Sequence, residues 1–447
     1  MSRLAPKPGY QGTCGLGAGG SRSLLDCGDY VEISTERFYM INILHTADLH
    51  LDSPLATMAL RNDGLRAAVE TATRSALDRI VDIALEEEVA AVLIAGDLYD
   101  GGQRSMKTAA YLLSAFRRLE AAGIRVFVIR GNHDAESTIT REIAWSDNVH
   151  VFDGRGGHVM LCDGIAIHGV SFRDPHAPES LLPKFRPVPG VVNIGMLHTS
   201  LGGAAGHDPY APCSVADLAA AGFDYWALGH VHRRTVHHEA PLVVMPGMPQ
   251  GRDMGEDGPK SVTLIHVDNG ELTIEERPSA ALEFRCESVD ISDCRDVAEV
   301  QDLITAQVRG LGGGAMIVVR LAVTGASALN WQLRRDADLL LAVAEEAAET
   351  TGSVWIDRLN VETQVLAAEA PTDTAAHEIA GLIAEAAHAP GLKAEAATIL
   401  SEVLADLPPE IRDHWGTDEA TTSQSVERLI GDAVDWATAR MHGTAGV

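Results

Sequence analysis

Aspartate, asparagine and histidine side chains follow the ends of five apolar runs in this sequence. They stand in Asp48-Leu49-His50, Gly96-Asp97, Gly131-Asn132-His133-Asp134, His198 and Gly229-His230-Val231-His232. Alternate residues of an extended segment point to the same side, so the D-x-H and H-x-H pairs each bring two side chains together. Carboxylate, amide and imidazole groups without a thiolate are typical ligands of Mn²⁺, Fe²⁺ or Zn²⁺. The pattern predicts a centre for two divalent cations, roughly 3.5–4 Å apart.

Each of these segments has an ordinary interpretation when it is taken alone. A loop histidine is often merely solvated, Asp97 is a suitable cap for the following helix, and Gly131–Asp134 is a suitable polar turn. The carboxyl ends of parallel strands, however, meet at one edge of a sheet, where open α/β proteins bind their ligands. Three such loops in register, joined by His198 and the H-x-H pair, favour a shared site.

A pair of divalent cations is suited to the hydrolysis of phosphate esters. The cations would neutralise the negative phosphate oxygens and lower the pKa of a water molecule, so no side-chain nucleophile is needed. Neither a G-x-S-x-G segment nor a phosphate-binding P-loop offers another route in this sequence. We predict Mn²⁺ as the metal, with Fe²⁺ and Zn²⁺ as alternatives, and a site served by Mg²⁺ alone is disfavoured.

The segments that carry these side chains fit alternating strands and helices. Strands at 41–46, 90–95 and 124–130 alternate with helices at 64–88 and 104–121, which is the spacing of β-α-β units around a mostly parallel sheet. Later apolar runs predict a second sheet packed on the first, and they lie at 149–152, 158–161, 165–170, 191–197, 224–228, 242–245 and 261–267. The predicted fold class is α/β, a two-sheet β-sandwich flanked by helices.

Changes in composition divide the chain into four segments. Residues 1–39, rich in Gly and Ser, are predicted to be a flexible N-terminal extension, and Met40 is a suitable biological start because a strand begins there. Residues 40–280 contain all five segments with metal-binding side chains. Residues 281–370 are predicted to form a small α/β domain, and residues 371–447 a helical region. The strands of the small domain are expected at 284–291, 315–323 and 353–366, and its helices at 296–309 and 332–349.

The overall charge argues against a broad attraction to polyanions. The chain has 35 basic and 63 acidic side chains, a net charge of −28, and residues 366–447 carry 14 acidic against four basic side chains. A nucleic acid would have to be met by a local basic rim, whereas the acidic C-terminal region suits a partner protein or solvent. No apolar run approaches the length of a membrane span and no early run resembles a secretory signal, so we expect a cytoplasmic protein.

The cysteines do not offer a competing metal site. All six are scattered along the chain without a C-x-x-C pair, which indicates neither a zinc cage nor a disulfide framework. We therefore predict that they are reduced and mostly structural.

The ordered series D-x-H, G-D, G-N-H-D, H and G-H-x-H resembles the calcineurin-like metallophosphoesterase superfamily. Three longer segments, Leu44–Pro54, Tyr225–Arg234 and Pro246–Arg252, are similar to the DNA repair exonucleases of the SbcD/YhaO type. Members of that family are nuclease subunits that work beside a coiled-coil ATPase of the SMC type. The resemblance covers residues 40–280 and extends to 284–366, as the family's capping domain, in pattern only.

The resemblance implies a role for each residue of the series. One metal would be held by Asp48, His50, Asp97 and His232, and the other by Asp97, Asn132, His198 and His230. The bridging ligand would be Asp97. His133 matches the non-ligand histidine that assists the leaving oxygen or steadies the charged transition state, with Asp134 as its orienting partner. One position departs from the family, because Asp100 stands where the archetypal nucleases carry a further histidine.

The resemblance also implies a substrate and partners. The substrate would be DNA, the partner an SMC-like ATPase, and the assembly a possible homodimer, with no membrane involved. Substrate contacts are predicted at Arg104, Arg233, Arg252 and His207, which lie in or beside the loops of the series. The function is thus a two-metal phosphodiester hydrolase, a DNA exonuclease or endonuclease of a repair complex.

Two other functions remain open on the sequence. The first is a phosphatase or a cyclic-nucleotide phosphodiesterase of the same superfamily, although G-D-L-Y-D-G and G-N-H-D differ from the G-D-x-x-D-R-G and G-N-H-E of protein phosphatases. The second is a mainly non-catalytic subunit that docks a partner through the acidic helical region and holds its metals structurally.

Overall fold

Two six-stranded sheets and one three-stranded sheet, with helices between them, make up the described part of the chain. The computed structural model describes residues 40–53, 63–99, 106–136, 144–174, 176–202, 210–364, 375–405, 415 and 419–442. The predicted extension 1–39, Asp100, Arg104 and His207 lie outside these residues. The strands are β1 Ile41–Thr46, β2 Ala91–Ala95, β3 Arg125–Ile129, β4 Val149–Val151, β5 Gly157–Cys162, β6 Ile165–Gly169, β7 Val192–His198, β8 Tyr225–Gly229, β9 Thr235–Glu239, β10 Leu242–Met245, β11 Ser261–Asp268, β12 Glu271–Pro278, β13 Leu282–Asp290, β14 Met316–Thr324 and β15 Val354–Val361.

The helices alternate with strands in the first third of the chain and dominate its end. They are α1 Asp63–Glu86, α2 Met106–Ala121, α3 Asn132–Glu136, α4 Val215–Ala220, α5 Val297–Gly310, α6 Asn330–Arg335, α7 Ala337–Thr351, α8 Ala375–Ala387, α9 Pro390–Ala405 and α10 Glu419–His442. Single turns of 3₁₀-helix lie at Leu182–Lys184 and Met254–Glu256.

The first sheet has the order β12-β11-β1-β2-β3-β4. Strands β1 to β4 are parallel, as the β-α-β spacing predicts, while β11 joins β1 and β12 in antiparallel fashion. Helices α1 and α2 cover one face, where Leu77, Leu112 and Phe116 are buried against Val92 and Leu264. The first sheet and its helices thus agree with the predicted α/β fold class.

The second sheet has the order β5-β6-β7-β8-β10-β9 and packs face to face on the first. The apolar layer between the sheets contains Ile43 and Phe127 from the first sheet and Ile167, Ile194 and Val244 from the second. Strands β6, β7, β8 and β10 are parallel to one another. The two sheets therefore present their parallel strands to a shared edge.

Two strands predicted for the second sheet belong to the first. The run at 149–152 became β4, which pairs with β3, and the run at 261–267 became β11, which pairs with β1. Both are apolar runs of strand length. The sequence of such a run does not show which strand it pairs with, because pairing depends on tertiary contacts. The predicted mostly parallel first sheet accordingly gains an antiparallel edge.

The third sheet, β13-β14-β15, is parallel throughout and carries α5 and α7 on one face. The predicted helix at 332–349 is instead two helices, α6 and α7, which meet at Asp336. The other face packs partly on the sandwich: Phe284 and Val318 are buried with Val69 of α1 and with Met254. A continuous apolar contact thus joins the third sheet to the turn between β10 and β11.

Helices α8, α9 and α10 form the last described part of the chain and contact one another. Several of their apolar side chains are exposed, among them Leu382, Ile399 and Val403. Within the described ranges no helix combines the length and the apolar character that a membrane crossing requires.

Candidate metal centre

The loops that follow β1, β2 and β8 carry residues in a strained, left-handed backbone conformation. The φ angle is 54° at Asp48, 41° at His50, 51° at Asp97 and 103° at His230. Side chains other than glycine rarely adopt this region, at a cost of roughly 1–3 kcal/mol each. Main-chain bonds hold the strain, since the Asp48 N–H donates to the Gly96 carbonyl at 3.0 Å and the His50 N–H to the Asp97 carbonyl at 3.1 Å. Four of the eight described non-glycine residues with positive φ are predicted ligands, which indicates a functional rim.

The first donor group consists of Asp48, His50 and His232. One donor atom from each lies within 4.8 Å of the others. The Nε2 atoms of His50 and His232 face each other at 3.2 Å. Both oxygens of the Asp48 carboxylate accept the His230 N–H at 3.0 Å, which aligns the carboxylate with the H-x-H segment.

The second donor group consists of Asp97, Asn132, His198 and His230. The Nε2 of His198 lies 3.1 Å from the Asn132 Oδ1 and 3.3 Å from the Asp97 Oδ2. Donor atoms of Asp97, His198 and His230 lie within 4.8 Å of one another. The Nδ1 of His198 is 3.0 Å from the Ala95 carbonyl, which accepts its proton and leaves Nε2 facing the other donors.

Asp97 lies between the two groups. Its Oδ2 is 3.9 Å from the His50 Nε2 of the first group and 3.3 Å from the His198 Nε2 of the second. Its Oδ1 accepts the His133 N–H at 3.1 Å. The side chain is 2% exposed, so a single buried carboxylate faces both sets of imidazoles.

These residues fit a pair of divalent cations. Metal–nitrogen distances of about 2.0–2.1 Å place two ligands of one cation roughly 3.0–3.4 Å apart. The separations of 3.2 Å in the first group and of 3.1 and 3.3 Å in the second lie in that range. Oxygen and nitrogen donors without a thiolate suit Mn²⁺, Fe²⁺ or Zn²⁺.

Glycines beside the second group leave room for His198. A Cβ on Gly229 would lie 2.1 Å from the Ala95 carbonyl oxygen and 3.0 Å from the His198 Nδ1. A Cβ on Gly131 would lie 2.2 Å from the Asp97 Oδ1, and one on Gly96 2.4 Å from the His198 Nδ1. The motif glycines are therefore required by contact with the donors themselves.

Burial and unbalanced charge shift the pKa values of the donors. Burial alone lowers the pKa of His198, but the carboxylates of Asp97 and Asp48 outweigh it and raise that pKa to about 9. Burial tends to raise the pKa of Asp97, yet the charges of His198 and His50 hold it well below its usual range. Burial raises the pKa of Asp48 to about 6. In the metal-free protein the centre holds protons that cations would displace.

The predicted catalytic pair lies beside the two donor groups. The His133 ring is 5.0 Å from the His50 ring, nearly perpendicular to it and partly exposed. Asp134 is buried, and its carboxylate accepts the N–H groups of Gly131, Leu98 and Tyr99 at 3.0–3.2 Å. Burial and the charge of Asp97 raise its pKa to about 7. Asp134 thus ties the loop after β3 to the loop after β2.

Sequence reasoning missed Glu256, which lies against the first donor group. Its Oε1 accepts the His232 Nδ1–H at 2.7 Å, and Arg252 donates to the same carboxylate. Arg252, a predicted substrate contact, forms an ion pair with Glu256 at this site. The available signal was the four-residue spacing of Arg252 and Glu256 in a turn between two strands, which is weak alone.

An aromatic surface adjoins the second donor group. The Tyr210 ring lies 5.1 Å from the His230 ring, and the exposed His176 stacks on Tyr210 with centroids 6.5 Å apart. Phe172 is buried between Tyr210 and His198. Of the predicted substrate contacts, Arg233 is exposed and next to His232, while Arg104 and His207 lie outside the described residues.

Two family models match this chain. Residues 41–234 match the model described as calcineurin-like phosphoesterase, and residues 284–364 match the model described as the middle domain of metallophosphoesterase YhaO. The first match contains both donor groups. The second coincides with the third sheet.

Individual relatives point the same way. The chain is 34% identical over 336 residues to metallophosphoesterase YhaO of Bacillus subtilis, which covers 72% of this chain and 82% of that protein. It is 28% identical to the DNA double-strand break repair protein Mre11 of Sulfurisphaera tokodaii over 201 residues, 43% of this chain and 49% of the relative. Mre11 of Haloferax volcanii is 28% identical over 256 residues, 55% and 54% of the two chains. The chain thus spans about half the length of these Mre11 proteins.

Proposed function

This chain belongs to the calcineurin-like metallophosphoesterases and, within them, to the YhaO family, and we propose that it is a two-metal phosphodiester hydrolase that cleaves DNA. The family and the His/Asp groups make it a metal-dependent phosphoesterase. The finer proposal is a nuclease subunit of a DNA repair complex that works with Mn²⁺.

The position of Asp97 between two imidazole sets carries this proposal. A carboxylate shared by both donor groups suits two neighbouring cations, with the first held by Asp48, His50, Asp97 and His232 and the second by Asp97, Asn132, His198 and His230. Bound cations would neutralise the phosphate oxygens and lower the pKa of the attacking water. The chain's task is to hold these donors in place before the substrate arrives.

His133 is proposed as the proton donor to the leaving oxygen. Its ring is partly exposed beside the first donor group, and its N–H is fixed on Asp97. The buried Asp134, one residue further, holds the same loop through three backbone N–H groups. A histidine at this position can give a proton to the departing group without being a ligand itself.

A nucleic-acid substrate is supported by the surroundings of the centre. Tyr210 and His176 offer stacked rings beside His230, and nucleobases bind such surfaces through their faces. Arg233 is exposed at the rim and suits a phosphate contact, whereas Arg252 is engaged with Glu256. Arg104 and His207 stay proposed contacts from the sequence. The Mre11 relatives are DNA repair proteins by name.

The remaining segments are proposed to serve assembly. We assign residues 281–370 as a capping domain and residues 371–447 as the docking region for an SMC-like ATPase in a cytoplasmic complex, with homodimerisation as a further possibility from the resemblance. Exposed apolar side chains such as Leu382 and Ile399 support a protein-binding role for the last helices. Removal of residues 372–447 should abolish co-purification of the ATPase and leave phosphodiesterase turnover intact; retained co-purification would contradict the docking assignment.

The test compares three substrates with one purified protein. With Mn²⁺, the wild type should cleave linear DNA and a chromogenic phosphodiester, and Asp97→Asn should reduce both activities to background because both donor groups lose their shared carboxylate. Tyr210→Leu should lower cleavage of DNA more than that of the chromogenic ester, while Tyr210→Phe, which keeps the ring, should behave like the wild type. Turnover of a cyclic nucleotide but not of DNA would replace the nuclease by a small-molecule phosphodiesterase. No hydrolysis with any divalent cation would end the proposal.

A further inference from the structure

Glu256 contacts the proposed metal ligand His232 at Nδ1, the ring nitrogen that does not face the other donors. It ends the 3₁₀ turn Met254–Glu256 between β10 and β11, and its Oε1 lies 2.7 Å from the Nδ1 of His232. The exposed fractions are 14% for Glu256 and 28% for His232, so the bond is partly shielded from water.

This bond decides which way the His232 ring faces. The carboxylate accepts the Nδ1 proton, which leaves the lone pair on Nε2. That Nε2 is the atom that faces the His50 Nε2 at 3.2 Å. A carboxylate behind a ligating imidazole fixes both its tautomer and its orientation.

Glu256 is itself held and is not available as a ligand. Its Oε1 accepts from Arg252 Nη2 at 2.7 Å, and its Oε2 accepts the Arg252 backbone N–H at 2.8 Å. The guanidinium keeps the carboxylate charged and oriented. Both carboxylate oxygens of Glu256 therefore accept hydrogen bonds from Arg252, and these bonds orient the carboxylate towards His232.

The turn is also fixed from the third sheet. Met254 is buried with Leu282 and Phe284 of β13, and the Gly258 N–H donates to the Phe284 carbonyl at 2.8 Å. The polar end of the turn faces His232, while its apolar end packs on another sheet. The turn that carries Glu256 is therefore anchored on the third sheet.

We propose that Glu256 is a positioning residue that sets the affinity of the Asp48–His50–His232 position for its cation, and leaves the Asp97–His198–His230 position unaffected. This rests on the proposed function, since it assumes that both groups bind cations. Because the proposed ligand that Glu256 contacts is His232, a substitution of Glu256 should weaken cation binding at the Asp48–His50–His232 position alone.

The experiment titrates the metal-free full-length protein with Mn²⁺ and follows the free ion by electron paramagnetic resonance. The wild type should bind two ions. In Glu256→Gln one ion should bind about 10–100-fold more weakly, the usual effect of losing such a carboxylate, and the other should be unchanged. A matched control is Glu299→Gln, because Glu299 also pairs with an arginine four residues earlier and accepts its backbone N–H at 2.8 Å, far from the centre in α5. This control should bind both ions as the wild type does.

A second readout needs no metal. In nitrogen-15 spectra of histidine-labelled, EDTA-treated protein, the wild type should show His232 protonated at Nδ1, and Glu256→Ala, which has no acceptor for that proton, should lose the fixed state. Equal weakening of both ions, or two unchanged ions with an unchanged tautomer, would overturn the positioning role. A wild type that binds no Mn²⁺ would instead overturn the proposed function, so the two failures are distinguishable. The melting temperature of each metal-free variant verifies the fold.

Discussion

The two donor groups of the centre are supported in different ways. In the Asp97–His198–His230 group, His198 is fully buried and three glycines leave the space that its ring and Asp97 fill. In the Asp48–His50–His232 group, Asp48 and His50 are just as buried, but the partly exposed His232 is held by a side-chain network in which Arg252 orients Glu256 and Glu256 orients His232. The His198 ring is thus fixed by close packing against the main chain, and the His232 ring by hydrogen bonds from a turn.

The two kinds of support should respond differently to substitutions. Close packing tolerates almost no added atom, because interiors have few voids. A partly exposed network loses strength gradually, since each bond contributes only about 1–3 kcal/mol when charged groups are involved. We expect substitutions near His198 to act as all-or-none changes, and those near His232 to be graded.

The largest effect is expected from Gly229→Ala. The new Cβ would approach the Ala95 carbonyl oxygen to 2.1 Å and the His198 Nδ1 to 3.0 Å. We expect about 1–3 kcal/mol of destabilisation from overpacking and loss of one of the two Mn²⁺ ions. Chemical denaturation and Mn²⁺ titration measure both. The control is Gly164→Ala, where an added Cβ meets nothing within 4 Å. A Gly229→Ala protein that binds two ions as tightly as the wild type would show that close packing around His198 does not support the centre.

A smaller, graded effect is expected from Met254→Ala. This change loosens the turn that carries Glu256, because Met254 is 9% exposed and buried against β13. Unfolding should become easier by about 2 kcal/mol, and only the His232-side ion should bind more weakly, by up to about tenfold. Val300→Ala, in the buried face of α5, should cost similar stability without any effect on Mn²⁺. If both variants bound Mn²⁺ alike, the third sheet would have no part in the centre.

The smallest effect is a pH dependence of the metal-free protein. The folded pKa of His198 is about 9, above its unfolded value, so its stabilising contribution is complete below about pH 6.5 and is lost as pH rises through 9. Asp48 and Asp134, with folded pKa values of about 6 and about 7, destabilise the fold in the same direction when they ionise. His45 and His168, with folded pKa values of about 3 and about 4, act in the opposite direction up to about pH 7.5, because their unfolded forms lose a proton near pH 6.5. The melting temperature of EDTA-treated protein should therefore fall mainly between about pH 7.5 and 9, by roughly 2 °C.

Saturating Mn²⁺ should reverse much of that fall, because cations take up the deprotonated ligands. The gap between the melting curves with and without Mn²⁺ should therefore widen as pH rises. A metal-free melting temperature that stays constant or increases between about pH 7.5 and 9 would contradict the assigned shift of His198.

The sequence predicted the elements around the centre well because their signals are local. The apolar strands β1, β2 and β3 each end at a polar motif, and parallel pairing brings those ends together. It did not predict the partner of β11, which follows β10 in the chain yet pairs with β1. It also missed β12, although Leu272 and Ile274 alternate with polar residues in the manner of a half-buried strand.

The supports of the centre were harder to predict than the donors. Asp97 and His198 stand in recognisable spacings, whereas Glu256 lies in a turn without a motif and acquires its role only from the folded position of His232. The left-handed backbone of Asp48 and His50 was equally hidden, because no glycine marks those positions. Tertiary contact, not local propensity, determines both features.

The pairing of β11 with β1 also has a consequence for folding during synthesis, because the two strands lie more than two hundred residues apart in the chain. Ile41–His45 meets Thr263–Val267, so β1 remains an open sheet edge until β11 has left the ribosome. Asp48 and His50 follow β1 directly; their main-chain bonds to Gly96 and Asp97 can form earlier, but β1 is flanked on both sides only when β11 has paired. Nascent chains stalled before Ser261 should therefore be digested readily by protease, and chains released beyond Pro278 should resist; equal resistance of the two would show that the sheet forms without its last partners.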